Sequence, residues 1–459
     1  MDWQLEAEKR QENMLRELQE LIAIPSVLNT DATPEAPFGT EVKRALDWFL
    51  EKGRENGYQV KNVDNIAGHL EIGEGDELLG ILGHVDVVPT GEGWTKDPFG
   101  GIIEDGKLFG RGAIDDKGPT IAAWTALNMV KDAGFEFNKR VRLIIGTDEE
   151  SGFRCVENYF QKEEMPTIAF APDADFPIIN AEKGIAGLVF SQATSGKDDQ
   201  LLTFRSGDRT NMVPDLAEAF VEGKLSDWQQ EFEKFATKYD LSFSIIEEDG
   251  QVRLTVRGKA AHAMEPDDGI NAGVMLALFL KDHLTGDGQL FTEFIADKFY
   301  GDTRGKSLNL AFSDEASGDT TFNAGIMRFE KAKRGTVEVS MRYSISCPFD
   351  EIMEAIQADG FSVNVHSNSK PHYVDDNDPF IKTLQDAYEK QTGEKAELLA
   401  IGGGTYARVM DKAVAFGMLF PGEKDVAHQL DEFVDIKNLV KATAIYAEAI
   451  SRLACGEKE

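Results

Sequence analysis

Residues Leu78-Leu79-Gly80-Ile81-Leu82-Gly83-His84-Val85-Asp86-Val87-Val88-Pro89 carry the first sign of the fold of this 459-residue chain. The first five are almost wholly apolar, as expected for a strand buried on both faces of a sheet. Polar chemistry starts where the strand ends, and the space beyond strand C-termini is where α/β sheets form their sites. His84 and Asp86, two apart in an extended segment, face the same side. The histidine could ligate a metal while the aspartate fixes its tautomer or orientation. A histidine capping a strand beside a solvated aspartate would look the same, and this pair alone leaves both readings open.

The same texture extends outward. Leu15, Leu18, Leu21 and Ile22 recur at helical spacing and stop before Pro25, predicting an opening helix. Val42, Leu46, Phe49 and Leu50 predict a second. Strands are expected over 60–63 and 69–72, and buried strands over 141–145 and 167–171. Pro119 stands where the first turn of a helix would begin, and 121–130 is apolar on most sides, so that helix is expected to be central. Strands alternating with helices indicate an α/β layer architecture. After about residue 183 half-buried strands are expected over 187–193, 201–206, 241–246 and 252–257, with a turn at Glu248-Asp249-Gly250, and a second pair over 321–329 and 336–345. Helices over 272–283 and 349–358 interrupt them. From Pro379 the α/β texture returns, with a helix to 392, strands near 397–401 and 413–420, and a final helix from 436. The expected organisation is one α/β domain, a mixed sheet flanked by helices, in two parts (1–183 and 376–459) split by a lid-like α+β insertion (184–375).

Composition narrows the function. With 81 acidic and 48 basic side chains the net charge is −33, which argues against nucleic acid and against an anionic membrane surface as partners. No apolar run approaches the ~20 residues that span a bilayer, and Met1-Asp2-Trp3-Gln4-Leu5-Glu6 lacks the apolar core of a signal peptide. Cys155, Cys347 and Cys455 are far apart and odd in number, so neither a disulfide framework nor a zinc ribbon is expected. A reduced, cytoplasmic setting follows as the expectation. The seven histidines are His69, His84, His262, His283, His366, His372 and His428, and they bound any metal or acid–base chemistry.

Four more stretches concentrate polar residues beyond expected strands or before a helix. They are Gly110-Arg111-Gly112-Ala113-Ile114-Asp115-Asp116-Lys117-Gly118-Pro119, Gly146-Thr147-Asp148-Glu149-Glu150-Ser151-Gly152, Ala171-Pro172-Asp173-Ala174-Asp175, and Ala427-His428-Gln429-Leu430-Asp431-Glu432. Each has a bland reading: helix capping for Asp115 and Asp116, a solvated loop for the three consecutive acids. Together they gather imidazoles and carboxylates at one end of one sheet. That donor mixture suits hard and borderline cations, and so many carboxylates favour two ions over one.

His-x-Asp, Gly-Arg-Gly-x-x-Asp-Asp-Lys-Gly, Asp-Glu-Glu-x-Gly and a late His-x-x-x-Glu resemble the M20 metallopeptidases, a group of dipeptidases, carnosinases, aminoacylases and related deacylases. Gly93-Trp94, Asp115-Asp116-Lys117-Gly118-Pro119 and Ile145-Gly146-Thr147-Asp148-Glu149-Glu150-Ser151 resemble the PepV-type bacterial dipeptidases in particular. The resemblance implies a zinc-peptidase-like catalytic domain with a lid and two divalent cations, zinc first, with manganese or cobalt suiting the same ligands. It implies His84 and Asp173 on one ion, Glu150 and His428 on the other, and Asp115 rather than Asp116 between them. Asp86 would orient His84, and Glu149 would be the general base acting on a metal-activated water. In the insertion, His262 would stabilise the oxyanion, with Asn211 and Arg342 holding the transition state or the substrate carboxylate. Gly403 and Gly404, in Gly402-Gly403-Gly404-Thr405, would form a backbone cradle for that carboxylate.

The implied enzyme is a dipeptidase acting on short peptides as a monomer. The rivals are an N-acyl amino acid deacylase with the same ligands, and a metal-stabilised binding protein, against which an unligated Glu149 argues. His69, His283, His366 and His372 are left as structural or solvent-exposed, and Cys155 as a small buried residue.

Overall fold

A computed structural model describes residues 1–29, 32–196, 199–358 and 360–456. The chain divides into two compact units: Met1–Ala181 with Tyr373–Leu399 and Gly404–Glu459, and Glu182–His372 with Ala400–Gly403. The short stretch 400–403, read from sequence with the α/β part, therefore groups with the inserted unit.

In the first unit a mixed sheet orders the strands Gln59–Val63, Ala67–Ile72, Arg140–Gly146, Leu78–His84, Ile168–Ala171 and Ala413–Ala415, with Ile178–Glu182 beyond. The Leu78–His84 strand lies parallel to both its neighbours and is buried along its whole length. Its side chains alternate between two cores. Leu79 and Ile81, with Leu143 and Ile145, join a cluster with residues of the helices Trp3–Ile22, Lys117–Asp132 and Ile436–Ala454. Leu82, Ile144, Ala169 and Ala171 join a smaller cluster with residues of Arg154–Phe160 and Tyr406–Val409. The helix Lys117–Asp132 is buried on every side from Lys117 to Val130, because it lies inside the larger cluster.

The region expected to be one strand over 413–420 is two, Ala413–Ala415 and Met418–Leu419; the first joins the main sheet and the second pairs with Ala174–Asp175. The sheet thus places the C-terminal ends of Leu78–His84, Arg140–Gly146 and Ile168–Ala171 side by side, and each is followed by one of the polar stretches.

The inserted unit has an eight-stranded antiparallel sheet in the order Ser242–Glu248, Gln251–Arg257, Leu216–Glu222, Leu201–Ser206, Thr321–Glu330, Arg334–Tyr343, Gly184–Ala193 and Ser362–Ser369. Its core joins these strands to the helices Leu225–Lys238, Ala272–Leu280 and Gly286–Phe299. The helices expected over 272–283 and 349–358 stop at Leu280 and Ala355.

Candidate active site

The buried strand Leu78–His84 delivers His84 with its ring fully enclosed. One ring nitrogen, Nδ1, lies 3.0 Å from the main-chain oxygen of Asp86 and 3.4 Å from its carboxylate. A donor at Nδ1 leaves the Nε2 lone pair free to face outward. Nε2 is 3.1 Å from Asp115 Oδ1 and 3.5 Å from Asp173 Oδ2. Asp86 therefore meets His84 chiefly through its carbonyl, while its carboxylate Oδ2 accepts the Glu150 N–H at 3.2 Å. Its Oδ1 is buried and faces His84 Nδ1 at 3.4 Å.

Asp115 stands between the two histidines, its Oδ2 lying 3.0 Å from His428 Nε2. Glu150 reaches the same His428 nitrogen at 3.0 Å. Asp116 points elsewhere: its Oδ2 accepts the His84 N–H at 3.0 Å and the Thr120 hydroxyl at 2.8 Å. Although Asp116 precedes the helix Lys117–Asp132, its side chain makes no capping bond. The next residue, Lys117, is fully buried and donates its ammonium to the Leu21 and Ile24 carbonyls at 3.1 and 2.7 Å, closing the end of the first helix.

The three acids after Arg140–Gly146 have separate fates. Asp148 is paired with Arg154, at 2.7 Å to Nε and 2.6 Å to Nη2, so its charge needs no bound cation. Glu150 turns to His428. Glu149 forms a triad with His84 and Asp173, and His84, Asp115 and Glu150 form a second, with the donor atoms of each triad within 4.8 Å of one another. The loop is pinned by Thr147, whose N–H donates to Cys155 Sγ at 3.4 Å; Cys155 also meets Tyr406 Oη at 3.0 Å. Cys155 is a buried partner of the loop, and the Tyr406 and His84 rings meet edge to face with centroids 6.1 Å apart. Nothing in the sequence pattern singled out Tyr406 or Arg154.

The electrostatics follow from crowding. Burial raises the Glu149 carboxyl well above the usual range, and the Asp173 charge adds to this. Glu150 is pushed up to about 7 by burial and by Asp115, and Asp173 is raised by the same two causes. Hydrogen bonds donated to the Asp115 and Glu150 carboxylates carry His428 up to about 11. Burial opposes a charged His84, but Asp115, Asp173 and Asp86 outweigh it and raise its pKa. Burial opposes the Asp115 charge too, but His428 and His84 outweigh it and hold Asp115 below the usual range. Glu149, Glu150 and Asp173 are instead pushed towards protonation for want of positive charge. Oxygen and imidazole donors at these separations fit divalent cations.

His428 adopts a left-handed backbone (φ 62) that disfavours any side chain. The loop is held from both sides: Asp431 accepts from Thr95 N–H at 2.8 Å and its hydroxyl at 2.9 Å, and Glu432 is buried against Arg111.

The profile of the peptidase family M20/M25/M40 matches residues 80–452. The chain belongs to that family. It is a metallopeptidase, a hydrolase of peptide bonds. A Bacillus subtilis protein named "Putative dipeptidase YtjP" is 48% identical over 462 residues, covering 99% of this chain and 100% of the relative. A Staphylococcus epidermidis protein named "Putative dipeptidase" is 40% identical over 98% of this chain and 99% of its own. Among solved structures, human carnosine dipeptidase 1 shares the fold with TM-score 0.57 at 15% identity, covering 97% of both chains. A Staphylococcus aureus tripeptidase shares it with TM-score 0.57 at 16% identity, over 96% of this chain and 98% of that one.

The residues expected in the insertion lie in the inserted unit. Asn211 and His262 are neighbours: Met212 bridges His262, and the Ala263 N–H donates to the Asn211 carbonyl at 2.9 Å. His262 Nδ1 accepts the Met264 N–H at 3.2 Å, which puts the ring proton on Nε2. Arg342 is buried on the Arg334–Tyr343 strand, its Cγ 4.0 Å from where a Cβ on Gly402 would lie. A Cβ on Gly403 would make only ordinary contact with Ile401 Cδ1 at 3.7 Å, whereas one on Gly404 would sit 2.1 Å from Arg408 Nη1. Gly404 is thus explained by the guanidinium packed on it. Among the described residues, no helix is long and apolar enough to cross a membrane.

Proposed function

We propose that the chain is a cytoplasmic, monomeric dipeptidase that uses two divalent cations, zinc first. His84 and Asp173 would hold one, Glu150 and His428 the other, and Asp115 would be shared. The observation that carries this reading is Asp115 set between two imidazoles, at 3.1 and 3.0 Å, with Glu149 beside the His84 edge. The names of the two bacterial relatives, which cover nearly all of both chains, support the choice of dipeptides.

Cations bound there supply Lewis acidity towards the peptide carbonyl and water. The protein's own groups do the rest. Asp86 holds His84 in the tautomer whose Nε2 faces the other donors. Glu149, buried and raised in pKa, accepts a proton from water and returns it to the leaving amine. His262, with its proton on Nε2, is the right tautomer to donate to a developing oxyanion, and Asn211 adds a second donor. Arg342 and the Gly403–Gly404 backbone would take the substrate carboxylate.

One experiment tests the reading. A panel of dipeptides, tripeptides and N-acyl amino acids is assayed with wild type, metal-stripped protein and Glu149→Gln, with zinc, manganese or cobalt restored. Dipeptide turnover is expected to vanish on stripping and return with metal. Glu149→Gln is expected to lose about 10²–10⁴ in kcat while keeping its metal content. Turnover of N-acyl amino acids alone would replace the dipeptidase by a deacylase, and an unimpaired Glu149→Gln would remove the general base.

A further inference from the structure

The loops that carry Asp115 and His428, and the loop beyond Asp86, meet on one buried ion pair. Arg111 and Glu432 are 1% and 0% exposed, and Arg111 Nη1 donates to Glu432 Oε2 at 2.6 Å. Glu432 Oε1 accepts the main-chain N–H groups of Gly112 and Ile114, both at 3.0 Å, and of Asp115 at 3.4 Å. Arg111 Nη2 donates to the carbonyls of Pro89 and His428, each at 3.4 Å. The carboxylate thus grips the backbone that leads into Asp115, four residues after His428, and the guanidinium reaches back to the His428 carbonyl itself.

A buried ion pair is a poor stabiliser, since two apolar side chains of the same volume would escape the desolvation cost. What apolar side chains could not do is hold a backbone segment by three N–H groups and two other loops by their carbonyls. Both Glu432 oxygens are taken, Oε1 by the three N–H groups and Oε2 by Arg111, so it is a poor candidate for a ligand. We propose that Arg111–Glu432 is the positioning pair of the two-cation site: it sets the spacing of Asp115 and His428 and thereby the affinity for cations. The inference rests on the ligand reading given above.

The test uses full-length wild type, Glu432→Gln and Arg111→Lys, each stripped of metal. Zinc affinity is measured by competition with a chromophoric chelator, Co2+ is titrated while its visible absorption is followed, and far-UV circular dichroism reports folding. Glu432→Gln is expected to bind cations about 10–100-fold more weakly, with an altered Co2+ band and an unchanged far-UV spectrum. Arg111→Lys keeps the charge but has no second nitrogen for Pro89 and His428, so a smaller loss is expected. Where Glu432→Gln does not fold, Arg111→Lys carries the comparison. Wild type binding two cations, with folded variants within twofold of it and showing its Co2+ band, would overturn the inference. A wild type that binds none would overturn the ligand reading, and this inference with it.

Discussion

His69 shows how burial alone can make a residue pH-sensitive. It is 6% exposed, and its Nδ1 accepts the Tyr159 hydroxyl proton at 2.7 Å while Arg142 Nη1 donates to the same hydroxyl oxygen at 3.2 Å. Burial, then the charges of Arg142 and Lys61, lower its pKa to about 3. Between about pH 6.5 and 3 the unfolded chain therefore binds a proton that the folded one refuses. Stability from this group is complete above about 6.5 and falls as pH drops towards 3, by about 1.4 kcal/mol per unit. Thermal melts of metal-free wild type and His69→Gln should show it: from pH 7 to 5 the variant should lose about 4–8 °C less. Identical pH slopes would mean that His69 is not held neutral. At this scale the sequence was most legible where one residue type has few uses. Two of seven histidines stood in the polar stretches, and both lie beside Asp115 in the candidate cluster. It was least legible where a residue acts through its backbone or across the chain: Asp86 meets His84 mainly by a carbonyl, Tyr406 reaches Cys155 over 251 positions, and Asp148 looked like a third free acid until Arg154 was placed beside it.

Between elements, one close tolerance lies at the start of the buried helix Lys117–Asp132. A Cβ on Gly118 would stand 2.0 Å from the main-chain oxygen of Ala113, so the helix can turn back on its own entry loop only with glycine there. That loop carries Asp115. Gly118→Ala should cost about 3 kcal/mol or more, because backbone and not a yielding side chain blocks the methyl. Chemical denaturation of metal-free protein gives the number, and a loss under 1 kcal/mol would show that the loop can shift. Such elements were readable in advance because burial writes itself as apolar runs: 78–82, 141–145 and 121–130 all became buried segments. Elements with weak patterns went unread. Ser362–Ser369 is exposed along nearly its whole length and shows no alternation. Gly286–Phe299 begins with two glycines, and Leu225–Lys238 buries only Trp228, Phe232 and Ala236. In such segments pairing and packing with distant strands supply the order that local sequence does not.

For the whole molecule, the two units have separate cores. The clusters containing Leu79 and Leu82 draw on the first unit, and the one containing Phe190 and Phe291 draws on the second. Every candidate cation ligand belongs to the first unit. A ligand that binds only the folded state stabilises it by RT ln(1 + [L]/Kd), about 4 kcal/mol at a thousandfold excess over Kd. Calorimetry of the metal-free protein should therefore resolve two transitions, and saturating zinc should move one of them upward by about 10 °C while leaving the other within a degree or two. The same scan on Glu432→Gln, at equal total zinc, should show a smaller displacement of the mobile transition if the Arg111–Glu432 pair governs affinity. A single transition that moves as a whole would mean that the units unfold together, and the metal would then stabilise the inserted unit through the first. Much of the −33 charge lies outside the site, so raising salt should act on both transitions by screening self-repulsion. Zinc and salt thus separate two kinds of electrostatics: a local deficit of positive charge at Glu149, Glu150 and Asp173, and a diffuse excess of negative charge over the whole surface.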